Sequence, residues 1–173
     1  METCPYWTEE DRMATRDARS FTEIGTIALC VLGRFPLESH GSITQVCGPI
    51  STGGFGSIQE NLRVFKSAVR LLRVSSVHVF DQTPLEDAMA RLGGGWRKDP
   101  VNQGKYCWPI LEEIYHRLFA SGSIGKLMFL PGAESSTGSR WEMEQGRKLG
   151  MAIEQYPEHL YKQVLEELGH LKV

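Results

Sequence analysis

The sequence lacks any apolar run near the roughly 20 residues that a helix needs to cross a membrane. Its most apolar stretch, Ile24 to Leu32, is short and is soon followed by Arg34. It also lacks a block of basic residues, and its formal net charge is -2, so nucleic acid is not an expected partner. The N-terminal residues are acidic, unlike the start of a secretory signal peptide. We therefore expect a cytoplasmic protein that does not bind membranes.

Closely spaced metal ligands are missing as well. The 4 cysteines are far apart, none of them forms a Cys-x-x-Cys pair, and the 5 histidines are equally scattered. Because zinc sites are usually built from such pairs, the sequence predicts no metal site. Scattered cysteines favour free thiols in a reducing cytosol. The chain also has neither a Gly-Lys-Ser/Thr phosphate loop nor a Gly-x-Gly-x-x-Gly sequence, so no cofactor is indicated.

Strand and helix patterns alternate from Ser42 to Leu168. Short β-branched or apolar runs predict strands, and apolar residues at helical spacing predict helices between them. This alternation predicts an α/β fold with a parallel sheet of about four to five strands and helices on both faces. We interpret residues 1–40 as an N-terminal helical extension and residues 41–173 as the α/β domain.

Two segments carry more specific expectations. The helix that includes Ile24 to Leu32 is apolar nearly all round, so it must be buried, either in the core or against another subunit. A later helix starts at Thr83 and Pro84. We expect Gly93-Gly94-Gly95 to end it and residues 93–106, which include Trp96, to form a long flexible stretch.

The stretch from Gly125 to Gly150 has the order strand, loop, helix, in which open α/β sheets carry their functional residues. An apolar run ends at Pro131-Gly132, a small polar loop follows, and a helix begins with Glu142 expected in its first turn. Glu142 is therefore the leading catalytic candidate. The alternative is a capping box, in which Glu142 only accepts a hydrogen bond from the backbone N–H of Ser139. The chain contains four such Ser/Thr-x-x-Glu patterns, so spacing alone does not distinguish the two roles.

A second loop, from Gly48 to Ser57, lies between a predicted strand and the amino end of a helix. Its glycines allow backbone N–H groups to face a ligand, and Ser51, Thr52 and Ser57 add hydroxyl donors. The loop is either a cradle for a phosphate or a flexible turn before a capped helix.

Together these segments resemble the nucleoside 2-deoxyribosyltransferase-like superfamily, including its nucleotide N-glycosidase branch and related phage and bacterial proteins. The matching segments span about Gln45 to Ile153, most of the chain. In order, they are Val46 to Ile50, Glu60-Asn61, Phe65, Val79-Phe80-Asp81, Pro84, Leu130-Pro131-Gly132, Ser136, Gly138 to Glu142 and Leu149-Gly150.

The resemblance implies a flavodoxin-like or Rossmann-like fold and a homodimer or larger homo-oligomer. It implies an enzyme, a hydrolase or transferase, that cleaves the N-glycosidic bond of a nucleoside or nucleotide without a metal or cofactor. Glu142 attacks the anomeric carbon, a covalent glycosyl–enzyme forms, and water or another base resolves it, as in retaining glycosidases.

The resemblance also suggests the residues that surround this nucleophile. A mid-chain acid orients the sugar; Asp81 lies in a matching segment, and Glu86, Asp87 and Asp99 are further candidates. A phosphate or ribose binds beside the catalytic loop. The residues expected there are Gly132, Ser136, Gly138 and Ser139. The base pocket is formed by the Gly-Pro loop, with stacking by Trp96. The residues expected in that loop are Cys47, Gly48, Pro49, Ile50, Ser51 and Phe55.

Two other functions compete with an enzyme. The same fold could bind or sequester a nucleotide without cleaving it, and Glu142 would then be only a helix cap. Alternatively, the chain could be a structural subunit whose apolar helix, Ile24 to Leu32, docks onto a partner.

Overall fold

The structure is a computed structural model that describes residues 6–75 and 78–171. The helices in this part of the chain are α1 (Glu9–Asp17), α2 (Phe21–Leu32), α3 (Ile58–Val74), α4 (Glu86–Arg97), α5 (His116–Ala120), α6 (Thr137–Lys148) and α7 (Glu158–Glu167). The strands are β1 (Ile43–Cys47), β2 (Val79–Phe80), β3 (Ile124–Phe129) and β4 (Ala152–Gln155). Within the described ranges, no helix is both long enough and apolar enough to cross a membrane.

The described residues divide into two compact units. The first contains the residues up to His40 and those from Asp81 to Ser123. The second contains Gly41–Phe80 and the residues from Ile124 onward. Residues 81–123 therefore lie in the same unit as the N-terminal helices.

The second unit is built on a sheet of four parallel strands in the order β2-β1-β3-β4. This confirms the predicted α/β fold, and the arrangement is consistent with a Rossmann-like or flavodoxin-like fold. Strand β1 lies inside the sheet, and all five of its residues are buried. Two residues of the predicted second strand, Ser76 and Val77, lie outside the described residues.

Helices cover both faces of this sheet. On one face, α3 and α7 pack over an apolar cluster, to which β1 contributes Val46 and β3 contributes Met128. On the other face, α6 packs against β3 and β4. Here a Cβ atom at Gly146 would lie 2.7 Å from Leu127 Cδ1 and 2.8 Å from Ile153 Cδ1. Tight packing of helix on sheet therefore explains the glycine inside this helix.

The first unit is helical. Helix α1, which Thr8 and Asp11 start with a complete capping box, packs with α2 and α4. Helix α2 also packs against a π-helical turn, Ile110–Tyr115, and against α5, which continues it. One face of α2 is buried among these helices, and it carries Phe21, Ile24, Ala28, Val31 and Leu32. Ile27 and Leu29 are half-buried. The buried face confirms the expectation of a core position for this helix, and its docking onto a partner stays a prediction.

The predicted break at Gly93-Gly94-Gly95 is wrong. Helix α4 continues through all three glycines to Arg97. Gly93 is buried, and a Cβ atom there would lie 3.7 Å from both Cys107 Sγ and Ile110 Cδ1. The helix therefore tolerates the intrinsic cost of its glycines, about 1 kcal/mol each relative to alanine. The flexible stretch predicted for residues 93–106 is consequently shorter, and it contains a 3₁₀ turn at Pro100–Asn102.

Candidate active site

Two loops leave the sheet of the second unit at the same edge, where β1 and β3 end. The backbone N–H of Leu130 donates to the carbonyl of Cys47 at 2.8 Å, so the two strands stay paired to their last residues. Gly48 lies against Leu130, where a Cβ atom would come within 2.7 Å of Leu130 Cδ1. The carboxyl edge of a parallel sheet is the usual ligand-binding position in open α/β folds.

Hydrogen bonds from backbone N–H groups to side-chain hydroxyls connect these two loops. Thr52 Oγ1 accepts a hydrogen bond from the backbone N–H of Thr137 at 3.0 Å, and the backbone N–H of Gly54 donates to Ser135 Oγ at 3.3 Å. Gly53 has a positive φ of 72°, and a Cβ atom there would collide with Ser135. The sequence analysis considered the Thr52 hydroxyl as a donor to a phosphate. In the structure its oxygen instead accepts the hydrogen bond that connects the two loops.

Asn61, in the first turns of α3, holds the first of these loops in shape. The side chain is 4% exposed. Its Oδ1 accepts from the backbone N–H of Phe55 at 2.8 Å, and its Nδ2 donates to the carbonyls of Ile50 and Gly53, both at 3.0 Å. One buried amide thus satisfies three backbone groups of a loop that has no secondary structure of its own.

Helix α6 starts three residues earlier than its capping-box pattern suggests. Its N-cap is Ser136, whose Oγ accepts from the backbone N–H of Ser139 at 3.4 Å. Because the helix begins at Thr137, Glu142 lies in its second turn. The predictions of a first-turn position and of a Ser139–Glu142 capping box are therefore wrong. A 3₁₀ turn at Ala133–Ser135 brings the chain directly into the helix, so the earlier serine becomes the cap.

The carboxylate of Glu142 lies instead against strand β1. Glu142 is 7% exposed, and its Oε1 accepts from Gln45 Nε2 at 3.4 Å. The thiol of Cys47, two residues along the same face of β1, is also hydrogen-bonded to Glu142. Ser139 and Gly146 share the buried face of α6 with Glu142. The structure thus joins two of the predicted site residues, Cys47 and Glu142.

Burial and the neighbouring charge determine the state of the thiol. Burial raises the pKa of Cys47 well above its usual range, and the negative charge of Glu142 raises that pKa further. The thiol therefore remains protonated at neutral pH. In this form it is a hydrogen-bond donor to the carboxylate rather than a competing nucleophile, since the thiolate is the reactive form.

A buried carboxylate with fixed donors can act as a nucleophile or as a general base. The two roles need the same ionised form of the carboxylate. In the described parts of the chain, no group of three or more His, Cys, Asp or Glu side chains is arranged to hold a metal ion.

Two predicted site residues, Asp81 and Trp96, belong to the first unit. Asp81 is 8% exposed, and its Oδ1 accepts from the backbone N–H and the hydroxyl of Thr83, at 3.0 and 2.6 Å. These bonds start the 3₁₀ turn that precedes α4. Trp96 is half-buried near the end of α4, rather than in the flexible loop that the sequence suggested.

Other residues of the predicted base pocket lie along the loop that follows β1. Pro49 and Phe55 line a shallow pocket of about 230 Å³ together with Tyr161, on the side of the sheet that α3 and α7 cover. Phe55 is 43% exposed and stacks on His170 with ring centroids 4.6 Å apart. Ile50 packs partly against the apolar cluster, and Ser51 is exposed.

The serine and glycine side of the predicted site lies along the second loop and the start of α6. Gly132 precedes the 3₁₀ turn with a φ of 82°, and Gly138 is buried in the first turn of α6. Ser136 is used as the helix cap. Ser139 is 1% exposed, and its Oγ has no hydrogen-bond partner among the described residues.

Sequence reasoning missed the roles of Gln45 and Asn61. A signal for Gln45 was present in the sequence. It is a polar residue in a short and mostly apolar strand, and it lies two positions before Cys47, so both side chains face the same side of the strand. Asn61 carried a weaker signal, a polar residue among the apolar positions of α3. Comparisons with sequence profiles of protein families, with curated proteins and with solved structures find no match to this chain.

Proposed function

We propose that the protein cleaves the N-glycosidic bond of a nucleoside or nucleotide, with Glu142 as the nucleophile. One observation carries the proposal. The carboxylate of Glu142 is buried at the carboxyl edge of a parallel sheet and is held by Gln45 and Cys47, and it does not cap its own helix. The resemblance to the nucleoside 2-deoxyribosyltransferase-like superfamily places its nucleophile at this position.

The reaction has two steps. An oxygen of Glu142 attacks the anomeric carbon of the sugar, the C–N bond breaks, and the base leaves with the bonding electrons and takes up a proton. A water molecule, or the nitrogen of a second base, then attacks the same carbon and releases the carboxylate. The first outcome is hydrolysis and the second is transfer. Both steps pass through an oxocarbenium-like centre that a neighbouring anion stabilises.

The second loop supplies groups for the rest of the substrate. The Ser139 hydroxyl is unpartnered within the described structure and lies one turn before Glu142 on the same face of α6. This hydroxyl is suited to an anionic or hydroxyl-bearing group, such as a phosphate or a sugar hydroxyl.

The test is release of free base from a panel of nucleosides and nucleoside monophosphates, followed by chromatography. We expect Glu142→Gln to lower the rate at least about 1000-fold, because an amide cannot form the glycosyl ester. Glu144→Gln is the matched control. Glu144 lies on the same helix, is exposed and pairs with Lys148, so its rate should stay within about twofold.

Failure of every substrate to yield base, or an unchanged rate in Glu142→Gln, would contradict the proposal. A binding protein of the same fold is the competing function. It would show a ligand-dependent rise in melting temperature and return the nucleotide intact, in both the wild type and Glu142→Gln.

A further inference from the structure

Gln45 is a polar side chain in the middle of strand β1, and it is 0% exposed. A fully buried glutamine is uncommon, because its amide has two N–H groups and a carbonyl that need partners. Here Nε2 lies 3.4 Å from Glu142 Oε1 and 3.9 Å from Cys47 Sγ. The carbonyl Oε1 is buried and has no hydrogen-bond partner within the described structure.

The carboxylate explains why the amide points this way. Turning the amide by 180° would place Oε1 against the oxygen of Glu142, so that two acceptors would face each other. The observed orientation gives Glu142 a donor and leaves the carbonyl of Gln45 unsatisfied. An unsatisfied buried acceptor is a stability cost that an apolar side chain of similar size would avoid. A polar group that is kept under these conditions indicates a functional reason.

We propose that Gln45 is a positioning residue, whose amide fixes the carboxylate plane of Glu142 for attack on the sugar. This inference rests on the proposed function, since it assigns a role in that reaction. Gln45 does not react itself, and it acts through Glu142. Without this donor the carboxylate rotates more freely and binds a proton more readily, so fewer molecules hold the reactive form in the reactive geometry.

The first test replaces Gln45 with methionine, which has a similar length and no amide. We expect the kcat of Gln45→Met to fall at least about 10-fold while KM changes less than about threefold. The acidic limb of its pH–rate profile should move to higher pH; Cys47, the titratable neighbour on β1, remains in place. The melting temperature should stay the same or rise, because the unsatisfied carbonyl is removed.

Thr44→Val is the matched control for this substitution. Thr44 is the preceding residue on β1, is 1% exposed, and has a buried Oγ1 without a hydrogen-bond partner among the described residues. Its side chain points to the opposite face of the strand. We expect kcat and the pH profile of this variant to match the wild type. An unchanged kcat and pH profile in Gln45→Met, or an equal loss in Thr44→Val, would overturn the proposal.

A second test does not depend on activity. Melting temperatures are measured for Gln45→Met, for Glu142→Met and for the double variant. If the amide and the carboxylate hold each other, the shifts are non-additive, and the melting temperature of the double variant is higher than the two single shifts together predict. Additive shifts overturn the Gln45–Glu142 coupling whether or not base is released. Absence of base release from every substrate overturns the glycosidase proposal alone, and the melting temperatures still decide the coupling.

Discussion

Glu142 shows how one side chain can satisfy a sequence pattern and still have another role. Its Ser139-x-x-Glu142 spacing fits a capping box, and the structure makes Ser136 the cap instead. One of the residues that contact Glu142, Gln45, is 97 positions away in the sequence. Sequence patterns relate residues only a few positions apart, so none of them could predict this contact. The sequence could therefore indicate the catalytic candidate but could not distinguish a cap from a buried carboxylate held by a strand.

The thiol of Cys47 gives a prediction at this scale. Cys47→Ala removes a donor to Glu142, so we expect the rate of base release to fall about three- to tenfold, consistent with a weak hydrogen bond to a charged group. Cys47→Ser restores a donor of similar size, so its rate should stay within about threefold of the wild type. Equal rates in Cys47→Ala and the wild type would show that the hydrogen bond from the thiol to Glu142 does not affect the reaction.

At the scale of elements, the loop after β1 depends on a helix rather than on its own hydrogen bonds. The sequence correctly indicated a loop rich in glycine between a strand and a helix. It offered two interpretations, a phosphate cradle or a flexible turn, and the structure shows a loop that Asn61 and Ser135 hold in place. The difference arises because a side chain of α3 and a neighbouring loop supply the partners.

Asn61 provides the prediction for this loop. Asn61→Ala removes three hydrogen bonds and leaves backbone groups of the loop without protein partners. We expect the free energy of unfolding to fall by about 2 to 3 kcal/mol and base release to decline, as measured by denaturant unfolding and chromatography. The control is Gln59→Ala, an exposed position in the first turn of α3, which should change stability by less than about 0.5 kcal/mol.

Helix α4 also departs from the prediction that was made from local sequence. Three consecutive glycines favour a break when judged by intrinsic propensity, and the helix nevertheless runs through them to Arg97, with Gly93 buried. The spacing of apolar residues and the local composition are properties of short segments, so they predicted the helix and the four strands of the sheet. Contacts between distant segments are not local, so they decided where the helix ends.

At the scale of the whole molecule, Tyr156 links the stability of the second unit to alkaline pH. Its hydroxyl donates to the carbonyl of Ala68 at 2.8 Å, and burial raises the pKa of Tyr156 to about 12. In the unfolded chain the pKa is about 10. Between these values the unfolded state loses the tyrosine proton and the folded state retains it. The contribution of Tyr156 is therefore complete below about pH 10 and is lost as the pH rises towards about 12.

We expect the free energy of unfolding of the wild type to fall by up to about 3 kcal/mol more than that of Tyr156→Phe across this range. Denaturant unfolding at a series of pH values measures the difference. Tyr161 is present in both proteins, so its ionisation cancels in the comparison. Parallel pH dependence of the wild type and Tyr156→Phe would contradict the assignment.

The most direct test of the central claim, a covalent intermediate on Glu142, is the stereochemistry of the reaction. The wild type is allowed to act on its substrate in the presence of methanol, and NMR determines the anomeric configuration of the methyl glycoside. Two displacements at the same carbon, first by Glu142 and then by methanol, predict the configuration of the substrate. The inverted configuration would contradict the account, because it would mean that the solvent attacks directly and Glu142 acts only as a base.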